Sequence, residues 1–370
     1  MIRKVFVGCN TGDGFCTFFD FFMNPHGVKT YILKGGPGNG KSSFLRYIGE
    51  EMSTRGYAIE LQYCSFDCDS LDALVIPAKR VAVVAATGHH VMDPKYLGVV
   101  EEILNLGSYL DVEKIMSFRE KIIAVNDKVE SIFKQVCRYL KAARLVEENM
   151  EEITAQDQDF AQVNLATAEI ITRIFGKKEI AAHLGRERHL FASSITPEGY
   201  RSFIDTLIQG SNTYMIVGRI GSGKTEVLKR VGAEAKARGF NAEYYHRPLD
   251  PNKIEHLIIP ELKIALTTAN QDCNRNCQGS YNYNLNSYLR NNVNCLREEH
   301  KVTELVNEAV ALLKDAKMLH LGLEKYYVPN MNFAGVDACK ARLLQMILNR
   351  EDSLTTLAAS AGAACQKPGK

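Results

Sequence analysis

The sequence predicts an α/β fold in two duplicated halves, each with a parallel sheet and each followed by a helical insertion or hairpin. Two observations support this prediction. A long segment of the first half recurs 183 residues later, and in both copies short apolar runs alternate with amphipathic segments. Strands that alternate with helices are typical of βαβ units, and therefore of parallel sheets. At 370 residues, the chain is long enough for two such domains.

The duplication is visible in one continuous stretch of sequence. KGGPGNGKSSFLRYIGEEMSTRGYAIE in the first half resembles VGRIGSGKTEVLKRVGAEAKARGFNAE in the second. The pairs Lys41 and Lys224, and Asp67 and Asp250, are both separated by 183 residues, and the similarity extends over roughly 80 residues. A match of that length is not expected by chance, so we interpret it as an internal repeat.

Each repeat is predicted to contain the same elements in the same order. A first strand leads through a glycine-containing turn into a helix, and the later elements follow from apolar periodicity. The second copy is predicted to run from a strand at His189–Ala192 to a strand at Lys263–Thr268. In the first copy we predict strands over Lys4–Val7, Thr30–Leu33, Tyr57–Tyr63 and Val81–Ala86, a helix over Lys41–Thr54 and a short helix over Ser70–Val75.

The stretches that follow the repeats are predicted to be helical. Apolar residues spaced by three and four between positions 111 and 178 fit an amphipathic hairpin, and a similar pattern lies between positions 283 and 349. We therefore divide the chain into four consecutive regions. The predicted regions are a first repeat (1–110), a helical insertion or linker (111–185), a second repeat (186–280) and a helical region with a flexible tail (281–370).

A glycine-rich loop of the form G-x-x-x-x-G-K-[ST] occurs once in each repeat, after an apolar strand and before a helix. In such a P-loop the backbone N–H groups cradle phosphate, and the helix N-terminus favours its negative charge. The sequence thus predicts two sites for ATP. The predicted contacts are Gly35, Gly36, Pro37, Gly38, Asn39, Gly40, Lys41, Ser42 and Ser43 at the first site, and Gly218, Arg219, Ile220, Gly221, Ser222, Gly223, Lys224, Thr225 and Glu226 at the second.

Magnesium is the second cofactor that these loops imply. The hydroxyls of Ser42 and Thr225 are predicted to bind Mg²⁺, while Lys41 and Lys224 neutralise the β- and γ-phosphates. An acidic residue usually completes such a site at the end of a neighbouring strand. The apolar strands VAVVAATGHH and KIALTTAN do not supply one, so the matched residues Asp67 and Asp250 are the catalytic candidates. Capping of the predicted short helix is an equally good interpretation of Asp67.

Two further groups of residues carry weaker signals. His89 and His90 follow an apolar run, where α/β sheets keep ligands, but a loop position without function explains them as well. The C-x-x-x-C pairs that begin at Cys64 and Cys273 have a spacing unlike that of common zinc sites, and they are not equivalent in the two repeats. We therefore predict no structural zinc.

Several segments outside the glycine loops resemble a family of uncharacterised bacterial tandem P-loop ATPases, found mainly in Gram-positive, often spore-forming lineages. The resemblance rests on VGCNTGDGFCTFFD, DCDSLDALVIP and HHVMDPKYLGVVEEILNLG in the first half, and on LFASSITPEGYRSFID and PNKIEHLIIPEL in the second. It covers nearly the whole chain and implies two P-loop domains. The family has an acidic residue where this chain has Ala85-Ala86. Because such an acid usually helps to hold Mg²⁺, the resemblance implies a difference in magnesium binding at the first site.

Composition narrows the classes of function. Lys plus Arg is 45 against 43 for Asp plus Glu, so the balance of charge does not favour a nucleic-acid partner. Ten cysteines, with neither a secretory leader nor an apolar run of membrane-spanning length, predict a cytoplasmic protein without a membrane partner. The expected function is a slow or regulated Mg²⁺-dependent ATPase that acts on an unknown protein or small-molecule partner. The alternatives are a nucleotide or small-molecule kinase, and a non-hydrolysing switch or scaffold.

Overall fold

The computed structural model describes residues 2–18, 28–86, 92–176, 178–269, 281–291 and 294–352. The predicted flexible tail therefore lies largely outside the described residues. By contacts the chain divides into two compact units. Unit 1 consists of Met1–Val7, Phe19–Glu130 and Ala316–Lys370, and unit 2 consists of Gly8–Phe18 and Ser131–Asp315.

The first part of the chain contains all six strands of the unit 1 sheet. Its elements, in order, are β1 (Ile2–Phe6), β2 (Gly8–Thr11), β3 (Gly14–Thr17), β4 (Lys29–Lys34), α1 (Lys41–Thr54), β5 (Ile59–Tyr63), β6 (Leu71–Ile76), β7 (Val81–Ala85), β8 (Glu101–Asn105), α2 (Val112–Met116), α3 (Arg119–Asp157) and α4 (Phe160–Phe175).

The second part repeats this alternation of strands and helices. Its elements are β9 (Glu187–Leu190), β10 (Ser193–Thr196), β11 (Gly199–Ser202), α5 (Ile204–Leu207), β12 (Asn212–Val217), α6 (Lys224–Ala237), β13 (Ala242–His246), β14 (Ile254–Ile259), β15 (Ile264–Ala269), β16 (Tyr281–Asn284), α7 (Leu296–Leu321), α8 (Glu324–Tyr327) and α9 (Phe333–Leu348).

Each unit is built on a six-stranded, mostly parallel sheet, which confirms the α/β class. The order is β1-β5-β6-β7-β4-β8 in unit 1 and β9-β13-β14-β15-β12-β16 in unit 2. Position by position, the two orders pair the elements that the sequence repeat equates. In both sheets the strand before the glycine loop lies between two parallel neighbours. The carboxyl ends of these strands and the glycine loop therefore share one edge of each sheet.

One strand in each sheet departs from the predicted parallel arrangement. β6 pairs antiparallel with both β5 and β7, and β14 does the same with β13 and β15. The prediction of a short helix over Ser70–Val75 is therefore wrong. An acidic and serine-containing turn precedes this segment and resembles a helix cap, but the run Leu71–Ile76 is buried in the sheet interior, where an extended chain satisfies its backbone groups.

The remaining elements of the repeats agree closely with the prediction. Helix α1 spans the predicted residues, and α6 spans the equivalent residues of the second repeat. After the first strand of each repeat, the glycine turn closes a two-stranded hairpin, β2–β3 or β10–β11, that the sequence did not predict. Both hairpins belong to unit 2, where Asn10 Nδ2 donates to the carbonyl of Ile195 at 3.4 Å.

The helical regions are exchanged between the repeats. Helix α4 follows the first repeat in sequence, yet it packs on α6 of the second repeat in unit 2. Helix α9 follows the second repeat, yet it packs on α1 of the first repeat in unit 1. The units are therefore interleaved along the chain, and they differ from the division by sequence order given above.

Each unit has a core between its sheet and its helices. In unit 1, Phe44 and Leu45 of α1 meet Leu343 and Leu344 of α9 in one apolar cluster with the strand residues. In unit 2, Val227 and Leu228 of α6 share a cluster with α4. Burial of such side chains is the main source of stability. Within the described ranges, none of the helices has the combined length and apolarity needed to span a membrane.

Candidate functional site

The two glycine loops, which we call loop 1 (residues 35–42) and loop 2 (residues 218–225), have the same backbone geometry. Gly38 and Gly40 in loop 1 have φ of 67° and 81°, and Gly221 and Gly223 in loop 2 have φ of 84° and 93°. This left-handed region is costly for residues with a Cβ atom. In each loop the second of these glycines is the N-cap of the following helix, α1 or α6.

The lysine of each loop folds back on its own loop. Lys41 Nζ donates to the carbonyls of Gly35 at 2.9 Å and Gly36 at 2.7 Å. Lys224 Nζ likewise donates to the carbonyl of Gly218 and, at 3.0 Å, to that of Arg219. Each ammonium group is therefore held at the start of its own loop, by two carbonyls at equivalent positions in the two loops.

Burial makes both lysines weaker bases than usual. Desolvation lowers the pKa of Lys41 to about 8, although the carboxylate of Asp72 opposes the shift. Desolvation, together with the positive charge of Arg247, lowers the pKa of Lys224 to about 7, and Glu255 opposes this shift. A polyanion in either cavity would stabilise the charged lysine.

Helical segments lie against each loop in matching positions. A Cβ atom on Gly38 would approach Val328 Cγ2 to 2.8 Å, and Phe333 of α9 lies beside Gly40. At loop 2, a Cβ atom on Gly221 would lie 2.5 Å from the backbone oxygen of Glu151 in α3. The exchange of helical regions between the repeats thus supplies one wall of each site.

A large cavity opens at each loop. The cavity in unit 1 has a volume of about 1080 Å³ and is lined by residues 35–43, with Asp67, Asp72 and residues of α3, α7 and α9. The cavity in unit 2 has a volume of about 840 Å³ and is lined by most of loop 2, with Glu226, Arg247 and Glu255. These volumes are at or near the upper end of the range for small-molecule sites, roughly 300–1,000 Å³.

Most of the predicted contact residues are brought together in these cavities. All nine predicted residues of the first site line the first cavity. At the second site Arg219, Ile220, Gly221, Gly223, Lys224, Thr225 and Glu226 line the cavity. Gly218 and Ser222 are not among the lining residues, and Ser222 is fully buried.

The two predicted catalytic carboxylates differ in their surroundings. Asp67 accepts from Ser70 Oγ at 2.5 Å and pairs with Lys317 of α7 at 2.9 Å. Burial raises its pKa, but these contacts outweigh burial, and the net shift is downward. Asp250 Oδ1 accepts from the backbone and side-chain nitrogens of Asn252 at 3.1 and 3.2 Å, and it is not among the residues that line the second cavity. Both carboxylates hold the turn that enters the antiparallel strand.

A better-placed pair of carboxylates is Asp72 and Glu255. Each is the second residue of the antiparallel strand, β6 or β14, and each lines its cavity. Glu255 accepts from Ser193 Oγ at 2.7 Å and from Tyr200 Oη at 2.8 Å. Asp72 and Glu255 occupy equivalent positions in the sequence repeat, and this equivalence was the signal that could have identified them. The predicted short helix hid the fact that each lies near the start of a strand.

The predicted metal-binding hydroxyls lie next to these carboxylates in the fold. Ser42 Oγ accepts from the backbone nitrogen of Leu71 at 3.0 Å, and Thr225 Oγ1 donates to the carbonyl of Ile254 at 3.4 Å. Leu71 and Ile254 directly precede the two acids. Among the described residues there is no group of three His, Cys, Asp or Glu side chains that would hold a metal. A Mg²⁺ ion here would therefore rely on one carboxylate, one hydroxyl and ligand oxygens, as this ion often does.

Ion pairs distinguish the two sites. In unit 2, Arg247 contacts Glu147 through two hydrogen bonds of 2.7 and 2.5 Å, and Lys253 pairs with Glu151 at 2.6 Å. None of these four residues was predicted from the sequence. Arg247 and Lys253 match the uncharged Cys64 and Ser70 of the first repeat, and the two glutamates lie in the helical insertion. His89, His90 and the pair Cys273 and Cys277 lie outside the described residues.

Comparison with protein-family models, with curated proteins and with the solved structures found no match to this chain.

Proposed function

We propose that the chain binds a nucleoside triphosphate, ATP with Mg²⁺, at both glycine loops and hydrolyses it slowly or under regulation. One observation carries this proposal. The same loop geometry occurs twice, at the carboxyl end of a parallel strand, with a lysine on the same two carbonyls and a helix N-terminus behind it. Backbone N–H groups in such a loop, together with the positive helix end, bind phosphate.

The lysines give the site its charge. In the structure they donate to carbonyls of the loop itself, and phosphate oxygens would replace these acceptors. A phosphate oxygen carries negative charge, so it attracts the lysine ammonium group more strongly than a neutral carbonyl does. Binding of phosphate would also raise the lowered pKa of Lys41 and of Lys224, because the anion stabilises the ammonium form.

Magnesium has a matched pair of ligands at each site. Ser42 with Asp72, and Thr225 with Glu255, would hold the ion together with phosphate oxygens. The strand beside the loop strand ends in Ala85-Ala86 in the first repeat and in Thr268-Ala269 in the second. Since the acidic residue that usually helps to hold Mg²⁺ is missing from that place, we expect turnover to be slow.

Phosphate release and nucleotide binding, measured together, test the proposal. The proteins are the wild type, Lys41→Ala, Lys224→Ala, the double variant and, as a control on α6, Lys236→Ala, whose side chain pairs with Glu187 outside the cavity. We expect each loop variant to abolish binding at one site, the double variant to bind no ATP, and the control to behave as the wild type.

The outcomes separate the possible functions. Turnover that falls with one lysine change identifies the working site. Binding without phosphate release, with phosphate transferred to an added acceptor, would replace hydrolysis by a kinase function, and binding without any chemistry would indicate a switch. Undiminished ATP binding by the double variant would refute the proposal.

A further inference from the structure

Arg247 lies beside loop 2 in a position suited to a phosphate group. It directly follows β13, whose carboxyl end shares the sheet edge with loop 2, and it lines the same cavity as Lys224 and Thr225. Its backbone nitrogen donates to the carbonyl of Lys253 at 2.9 Å, which fixes the start of the side chain. Ligands of α/β proteins bind at this edge of the sheet.

The guanidinium of Arg247 is held by a single carboxylate of α3. Glu147 accepts two hydrogen bonds from it, and the Glu147 side chain is only 4% exposed. Fork-shaped pairing of this kind suits carboxylate and phosphate equally well. A phosphate that enters the cavity would therefore compete with Glu147 for the same donors.

Arg247 and Lys224 are two of the five lysine and arginine residues that line the second cavity. The charge of Arg247 contributes to the lowered pKa of Lys224, so the two groups interact across this cavity. Like charges in a buried site repel each other, and a ligand with several negative charges relieves that repulsion. Lys224 is the partner expected for the β- and γ-phosphates, which leaves the outer oxygens of the terminal phosphate for Arg247.

The first repeat does not share this arrangement. The residue equivalent to Arg247 is Cys64. In the ion pair near loop 1, the acid and the cation come from the opposite elements to those near loop 2. There the turn after β5 supplies the acid, Asp67, and the helix supplies the cation, Lys317. In unit 2 the segment after β13 supplies the cations and α3 supplies the acids.

Resting on the proposed nucleotide binding, we infer that Arg247 contacts the terminal phosphate of a nucleoside triphosphate at the second site, and leaves Glu147 to do so. This contact makes the second site selective for triphosphate over diphosphate. The first site lacks an arginine at the equivalent position and discriminates less.

Binding of ATP and of ADP to one-site proteins tests the inference. In the Lys41→Ala background only the second site reports. There we expect Arg247→Ala to weaken ATP about 10- to 100-fold, the loss of one charged hydrogen-bonding group, and to weaken ADP less than about threefold. Arg247→Lys retains the charge without the fork and should fall between. Glu147→Gln removes the competing charge and should tighten ATP several-fold, with ADP unchanged.

Arg201→Ala is the matched control, since Arg201 is an exposed arginine of unit 2 on β11 that does not line the cavity. Equal losses of ATP and ADP affinity, or an unchanged ATP-to-ADP ratio in Arg247→Ala, would overturn the inference and leave nucleotide binding intact. If Arg247→Ala does not fold, the ratios for Arg247→Lys and Glu147→Gln decide. Failure of the Lys41→Ala parent to bind either nucleotide would overturn the proposed function of the second site as well.

Discussion

At the scale of single residues, burial sets the proton affinity of the two loop lysines and leads to a pH dependence that differs between the sites. The pKa is about 7 for Lys224 and about 8 for Lys41. Phosphate binds the protonated form, so affinity falls as pH rises above each pKa. Between pH 7 and 9 we expect ATP to weaken about 50-fold at the second site and about tenfold at the first. Titration with ATP in Lys41→Ala and in Lys224→Ala, each leaving one site, measures the two profiles. Identical or flat profiles would contradict the assignment.

The free energy of unfolding should also depend on the pKa of Lys224, but it should increase with pH, whereas the affinity for ATP decreases. Because the pKa of Lys224 is lowered in the folded protein, the unfolded chain binds more protons between about pH 7 and 10. The contribution of Lys224 therefore becomes less unfavourable as pH rises through that interval. Lys224→Met should be more stable than the wild type at pH 7, and the difference should shrink towards pH 10 in denaturant titrations. A difference independent of pH would refute this.

The Mg²⁺ concentration that ATP binding requires distinguishes two candidate acids at the first site. These are Asp67, predicted from the sequence, and Asp72, whose neighbour Leu71 contacts Ser42. In the Lys224→Ala background, Asp72→Asn should raise the Mg²⁺ concentration needed for half-maximal ATP binding about tenfold or more, because it removes the proposed ligand of the ion. Asp67→Asn is the comparison. It should lower the melting temperature through loss of the Ser70 and Lys317 contacts, while the Mg²⁺ requirement stays the same. The reverse pattern would restore Asp67 as the metal ligand.

How far the site could be predicted depends on whether a residue has a local signature. The loop glycines, Lys41 and Lys224 belong to a contiguous pattern, so the sequence alone could predict that they lie together in one loop. Arg247 and Glu147 are 100 residues apart, and their pairing depends on the path of α3. No local pattern predicts such a pair.

At the scale of elements, the close approach of α3 to loop 2 has a testable cost. Gly221 and Gly210 both have positive φ, 84° and 77°. Alanine at either position carries a left-handed strain of about 1–2 kcal/mol. At Gly221 the new Cβ would also meet the backbone of Glu151 at 2.5 Å, whereas nothing lies within 4 Å of it at Gly210. Thermal unfolding should therefore show a clearly larger loss for Gly221→Ala than for Gly210→Ala, and equal losses would show that α3 yields easily.

The elements also show where sequence patterns reach their limit. Helix α1 was predicted residue for residue because its apolar spacing and its N-terminal glycine agree. Strand β6 was taken for a helix because a short apolar run after Asp and Ser fits a capped helix as well as a buried strand. Only the antiparallel pairing with the neighbouring strands β5 and β7 decides between them.

At the scale of the whole molecule, the exchange of helical regions gives each unit a core built from distant parts of the chain. Leu343 of α9 and Ile170 of α4 are almost fully buried, at 2% and 0% exposure, in the clusters that contain α1 and α6 respectively. The sequence could not show this exchange, because the apolar face of each helical stretch fits either repeat equally well. Only the packing itself distinguishes the two arrangements.

Hydrogen exchange tests this exchange with a matched pair of variants. Each of Leu343→Ala and Ile170→Ala should cost about 2–5 kcal/mol by removing buried methyl groups. Leu343→Ala, near the end of the chain, should increase exchange in α1, whereas Ile170→Ala, in the middle, should do so in α6. If each helical region packed on the repeat that it follows, the two patterns would be reversed. Mass spectrometry of peptides covering 41–54 and 224–237 therefore distinguishes the interleaved arrangement from the sequential one without any nucleotide, and the result stands or falls independently of the proposed function.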